Sequence, residues 1–157
     1  ALIILSEQFS KAEAKDQEKI YKFLMKNRKG INNWDLVDTA APAIFSVYLY
    51  ENDRSILPTL ARSKNLWDRR MAMMSTFHFI RQGDFEDTLK IAKILLKDDH
   101  DLIHKAVGWL LREVGKRDAQ VEKAFLDKYA SKMPRTMLRY AIEKFPEKER
   151  KYYLNLK

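Results

Sequence analysis

Leu66-Trp67-Asp68-Arg69-Arg70-Met71-Ala72, Leu102-Ile103-His104-Lys105-Ala106-Val107-Gly108 and Met137-Leu138-Arg139-Tyr140-Ala141 state one pattern three times: a helix start that carries a cation and passes at once into small or apolar residues. The cations Arg70, Lys105 and Arg139 stand 35 and 34 residues apart. Around them apolar residues recur at spacings of three and four, the helical period. Phe77, Ile80 and Phe85 do so, as do Leu89, Ile91, Ala92, Ile94, Leu95 and Leu96, and again Val107, Leu110, Leu111 and Val114. β-branched residues nowhere alternate with polar ones over a strand's length, and the 157 residues include only four Gly and four Pro. Turn formers fall between the runs, at Lys29-Gly30, Asn52-Asp53, Gln82-Gly83-Asp84, Asp98-Asp99, Gly115-Lys116 and Met133-Pro134. The chain reads as all-α, with about ten helices joined by loops of a few residues.

Two antiparallel helices every ~34–47 residues is the period of an α-solenoid of the HEAT or armadillo kind. The expected fold is an α-α superhelix of HEAT-like antiparallel helix pairs, one domain over residues 1–157. The second helix of each pair lines the concave face of such a fold, so cations repeating at this period would form a ladder there and track a phosphate backbone. Otherwise they sit on solvated helix ends. Pro146-Glu147-Lys148-Glu149-Arg150-Lys151-Tyr152-Tyr153 reads as a closing amphipathic cap.

Thirty Lys and Arg against twenty-two Asp and Glu give a net charge of +8 and a pI near 9.6. That excess favours a polyanionic partner, nucleic acid first and an anionic membrane surface second. No apolar run approaches the roughly eighteen residues that span a bilayer. Ala1-Leu2-Ile3-Ile4-Leu5 has neither the basic start nor the cleavage site of a secretory signal, and the expected compartment is the cytoplasm. Without cysteine there is no disulfide framework and no thiolate metal site. The chain opens at Ala1 inside an apolar helical pattern, with no Met and no capping residue. Further helices are therefore expected ahead of it, these residues forming the C-terminal two-thirds of a longer protein.

Asn32-Asn33-Trp34-Asp35-Leu36-Val37-Asp38 is the densest chemical cluster. Asn33 suits an N-cap, and Asp35 suits the first turn, where the helix dipole favours negative charge. Trp34 and Asp38, at i and i+4, share a face. Thr39-Ala40-Ala41 behind them are small enough to let neighbouring helices approach. Asp38 is either a functional carboxylate or a structural one bonded to Arg69 or Arg70 at a repeat junction. In the second cluster, Lys105, Trp109 and Arg112 follow i, i+4, i+7 and give one face the order cation, aromatic, cation. Such a Trp can stack on a sugar or base while its neighbours hold phosphates, or it can be a core residue. Gly108 in mid-helix costs about 1 kcal/mol against Ala, which points to close packing or approach of a ligand.

His78, His100 and His104 come with no HExxH motif, so a metal site is not expected. No Walker loop, GxGxxG or GxSxG occurs, and no cofactor is expected.

Four segments in order resemble the DNA alkylation repair enzymes: Asn33-Trp34-Asp35-Leu36-Val37-Asp38, Asn65-Leu66-Trp67-Asp68-Arg69-Arg70, Lys105 to Glu113, and Met133-Pro134-Arg135-Thr136-Met137-Leu138-Arg139-Tyr140-Ala141-Ile142-Glu143. The resemblance implies a HEAT-like solenoid that wraps double-stranded DNA in its concave groove and removes positively charged N3- and N7-alkylated purines. It implies an active site of one Asp flanked by two Trp, matching Asp38, Trp34 and Trp109, and a groove arginine matching Arg70. With Arg70, the cations Lys105, Arg112 and Arg139 are the expected DNA-binding residues. The family has further helices ahead of the position of Ala1, which help to close the groove. A cationic purine leaves as a neutral base, so one carboxylate suffices, as electrostatic stabiliser of the sugar cation or as base toward water. The expected protein is a monomeric alkylpurine DNA glycosylase acting on alkylated DNA; the alternative is a non-catalytic HEAT-like scaffold for DNA or protein.

Overall fold

The computed structural model describes residues 2–156, so the expectation for Ala1 lies outside the described residues. Within them all regular secondary structure is helical and no strand occurs. The α-helices are α1 (Leu2–Lys11), α2 (Ala14–Lys26), α3 (Trp34–Ala40), α4 (Ser46–Glu51), α5 (Ile56–Ala61), α6 (Leu66–Met74), α7 (Phe77–Arg81), α8 (Glu86–Ile94), α9 (Asp101–Arg117), α10 (Ala119–Tyr129), α11 (Arg135–Ala141) and α12 (Glu147–Asn155). A π-helical turn, Ala41–Phe45, joins α3 to α4, and Ser75 and Thr76, both in the right-handed helical region, join α6 to α7. Taking each joined pair as one rod leaves ten rods among the described residues, the number that the periodicity predicts.

The helix ends follow local chemistry. The Asn33 side chain accepts the Leu36 N–H at 2.9 Å, and Asn65 accepts the Trp67 N–H at 2.8 Å. His100 Nδ1 accepts the Leu102 N–H, and Asp118 Oδ1 accepts from Gln120 and Val121. Each satisfies a donor that the first helical turn leaves without a partner. Gly83 takes φ +78°, the left-handed region, in the turn that ends α7. Gly115-Lys116, expected as a break, lies inside α9. The reason is packing: a Cβ at residue 115 would fall on the Glu122 carboxyl group, so glycine there makes room for a neighbouring side chain and does not end the helix.

Helices α1, α3, α6, α9 and α11 pack one on the next in that order, with α2, α4, α5, α7, α8 and α10 arranged around them. The core runs through the whole row, from Phe9 and Val37 through Met71 and Val107 to Leu138. Ion pairs join the elements: Arg28–Asp68 at 3.1 Å, Arg69–Asp98 at 2.6 Å, and Arg54 with Asp84 and Asp87 at 2.7 and 3.0 Å. No helix among the described residues is long and apolar enough to cross a membrane.

Candidate functional site

Three neighbours in the row, α3, α6 and α9, bring the two sequence clusters to one place. A cavity of about 370 Å³ is lined by Trp34, Asp38, Arg70, Lys105, Trp109, Arg112 and Tyr140, with Leu102 and Ala106 between the cations. Trp34 and Asp38 reach it because they lie one turn apart on α3, and Lys105, Trp109 and Arg112 because they form one stripe of α9.

Asp38 bonds to Arg70 through both oxygens. Arg70 Nε donates to Oδ1 at 2.9 Å and Nη2 to Oδ2 at 2.8 Å, while Nη1 donates to the Leu102 carbonyl. The Arg70 side chain is 7% exposed and Asp38 26%, so the carboxylate is held from behind and remains open toward the cavity. Of the two arginines that sequence offered Asp38, Arg69 turns instead to Asp98. With all three guanidinium nitrogens engaged, Arg70 would have to open one of these bonds to reach a phosphate.

Trp34 is 55% exposed, a large apolar surface left facing solvent at the cavity mouth. Trp109 is half-buried, packs against the Phe77 ring at 5.8 Å, and donates its indole N–H to Glu113 at 3.1 Å. Lys105 pairs with Asp101 at 2.8 Å, and this exposed hydrogen bond holds its ammonium above the usual lysine range. Arg112 pairs with Glu143. Lys105 and Asp101 are both substantially exposed, so an incoming anion can replace Asp101 there; Arg112 is 15% exposed, with Nε and Nη1 buried, and meets Glu143 from inside the fold.

The repeating cations occupy three different settings: Arg70 is buried on Asp38, Lys105 lines the cavity, and Arg139 is exposed and absent from the lining. Its neighbour Tyr140 takes the cavity position on α11. The spacing aligns the cations and does not mark Tyr140. The signal that pointed to it is Gly108: a Cβ there would fall on the Met137 carbonyl oxygen and on Tyr140 Cβ, so the missing side chain lets α11 approach and brings Tyr140 to the site. The histidines serve locally, His100 as a cap and His104 bonded to the Asp98 carbonyl.

The sequence model for DNA alkylation repair enzymes matches residues 1–145. The chain belongs to the DNA alkylation repair enzyme family. Membership gives it a role in the repair of alkylated DNA, and the four segments that carry the resemblance all lie within the matched residues. A search of curated proteins gave no match. In this repair-family chain the Asp and both Trp line a single cavity, with the arginine behind the carboxylate.

Proposed function

We propose that this chain carries the active site of a DNA glycosylase that hydrolyses the N-glycosidic bond of positively charged N3- and N7-alkylated purines. One observation carries the reading: a carboxylate, its two oxygens fixed by Arg70, opens into a cavity that also presents two tryptophans and two cations. The row of helices α1, α3, α6, α9 and α11 is read as the inner layer of a HEAT-like superhelix, and the cavity as part of its DNA-facing groove.

The chemistry follows from the substrate's charge. The bond between C1′ and the alkylated purine breaks with its electron pair going to the base, which leaves neutral and needs no strong acid. The sugar is left with cationic character, and Asp38 stabilises it at short range in a site partly closed to water. Water then adds at C1′ through its oxygen and gives up a proton to the surrounding water. Arg70 occupies a lone pair on each Asp38 oxygen and fixes the carboxylate plane, which favours the electrostatic role over that of a mobile base. Trp34 and Trp109 offer flat apolar faces to the deoxyribose and exclude bulk water. Lys105 exchanges its exposed acid partner for a phosphate of the duplex, and Arg139 meets the strand farther along. The protein acts as a monomer, without a cofactor.

The test is release of 7-methylguanine from alkylated duplex DNA by the wild type and by Asp38→Asn. The expected result is a loss of about 100-fold or more in the single-turnover rate, with the Kd for DNA within a few-fold. Equal release by both would sink the reading. Salt-sensitive DNA binding without any release would move the assignment to a non-catalytic scaffold.

A further inference from the structure

The helix that carries Asp38 changes its pitch one residue beyond Thr39-Ala40. Ala41 still donates to Val37 in the α pattern, but Ser46 donates to Ala41, five residues back, and the turn Ala41–Phe45 is π-helical. The cause is in the sequence. Pro42 stands four residues after Asp38, has no N–H to give the Asp38 carbonyl, and would press its ring against that oxygen in a regular α-helix. The α ladder is interrupted at Pro42, and the chain continues in the wider turn that follows, which takes up one extra residue.

The extra residue changes which side chains share a face. At about 100° per residue, an unbroken α-helix places positions i, i+7 and i+11 on one side. Asp38, Phe45 and Leu49 have that spacing, yet Asp38 opens to the cavity while Phe45 and Leu49 are each 1% exposed in the core. Phe45 and Tyr21 pack edge to face there, with ring centroids 5.6 Å apart. The π turn separates the two groups. It lets α4 seat its core residues while α3 presents Trp34 and Asp38 to the opposite helices.

We propose that Pro42, through this π turn, is a positioning residue: it sets the rotation of α3 that aims the Asp38 carboxylate at Arg70 and the cavity. The proposal rests on the glycosylase reading for its catalytic consequence and on geometry alone for the placement of Asp38. In Pro42→Ala the restored N–H draws residues 41–45 toward α geometry. The core anchors on α4 hold, so the mismatch falls on α3. Deleting Ala43 in the same background removes the extra residue, and an ordinary α-helix then satisfies both faces.

The experiment compares the wild type, Pro42→Ala, and Pro42→Ala with Ala43 deleted. It follows thermal unfolding, the Arg70 Nε–H resonance by NMR, DNA binding, and release of 7-methylguanine. Pro42→Ala is expected to move the Arg70 resonance and to lower the excision rate by about tenfold or more, with DNA affinity within about twofold. The deletion variant is expected to recover both. An unshifted resonance and unchanged rate in Pro42→Ala, or a folded deletion variant that recovers neither, overturns the proposal. If Pro42→Ala does not fold, recovery in the deletion variant decides. If the wild type releases no base, the glycosylase reading falls, and the Arg70 resonance across the three proteins still decides the positioning claim.

Discussion

Asp38 and Arg70 define one another's position: the guanidinium takes both carboxylate oxygens, and its remaining nitrogen is anchored on the Leu102 carbonyl at the start of α9. The pair thus connects α3, α6 and α9 at the point where the cavity forms. Truncating Arg70 leaves a quarter-exposed carboxylate without its partner, and Arg70→Ala is expected to cost about 2 kcal/mol in urea unfolding. Under the proposed glycosylase activity its larger effect is on the reaction, since Asp38 loses its fixed orientation. Under that activity the excision rate is expected to fall further than DNA affinity, and the salt dependence of binding to stay unchanged if Arg70 keeps its bonds to Asp38 on DNA. A shallower salt slope in this variant would show that Arg70 does leave Asp38 for the DNA.

Helix α9 carries two glycines whose settings differ. At Gly108 the space a Cβ would need is taken by the Met137 backbone oxygen and by Tyr140 Cβ, and the α9–α11 contact depends on that close approach. At Gly115 the obstacle is the carboxyl end of Glu122, which can rotate. Gly108→Ala is therefore expected to destabilise the protein by about 2 kcal/mol, overpacking exceeding the roughly 1 kcal/mol gained in helix propensity. Tyr140 would be pushed from the cavity with it. Gly115→Ala is expected to fall within about 1 kcal/mol of wild type, the two contributions nearly cancelling. Urea unfolding of the two variants side by side checks the contrast, and equal costs would refute it.

The molecule as a whole is a basic row of helices with its ionisable groups mostly at the surface; of the buried ones among the described residues, Asp68 and Arg70 have ion-pair partners and Glu122 has none. It is 2% exposed, its Oε1 has no hydrogen-bond partner, and burial pushes its carboxyl from 4.5 up to about 8, against the pull of Arg112 and Lys123. The folded protein therefore keeps a proton that the unfolded chain has released between those two values. The contribution of Glu122 to stability is expected to fall as pH rises from about 4.5 to about 8 and to level off above, because at this group the folded state binds more protons throughout that window. Glu122→Gln, which cannot ionise, should remove this part of the pH dependence. Unfolding free energies at pH values near the two ends of that window, in wild type and variant, measure it. Parallel slopes in the two proteins would mean that Glu122 is not the group responsible.

Much of this was legible from spacing. The helical period gave the all-α class and the number of rods, and the i, i+4 and i, i+4, i+7 patterns put Trp34 with Asp38 and Lys105 with Trp109 and Arg112. Asn33 was readable as a cap because capping chemistry is local. The rest depended on contacts between residues far apart in the chain. Which arginine Asp38 takes, the burial of Arg70, the entry of Tyr140 in place of Arg139, and the continuation of α9 through Gly115 are each fixed by how neighbouring helices approach. Periodicity assigns a residue to a face of its own helix. What that face meets, and whether a cation on it ends against a carboxylate or in open solvent, is set by packing between helices about thirty residues apart, where single-helix spacing carries no information.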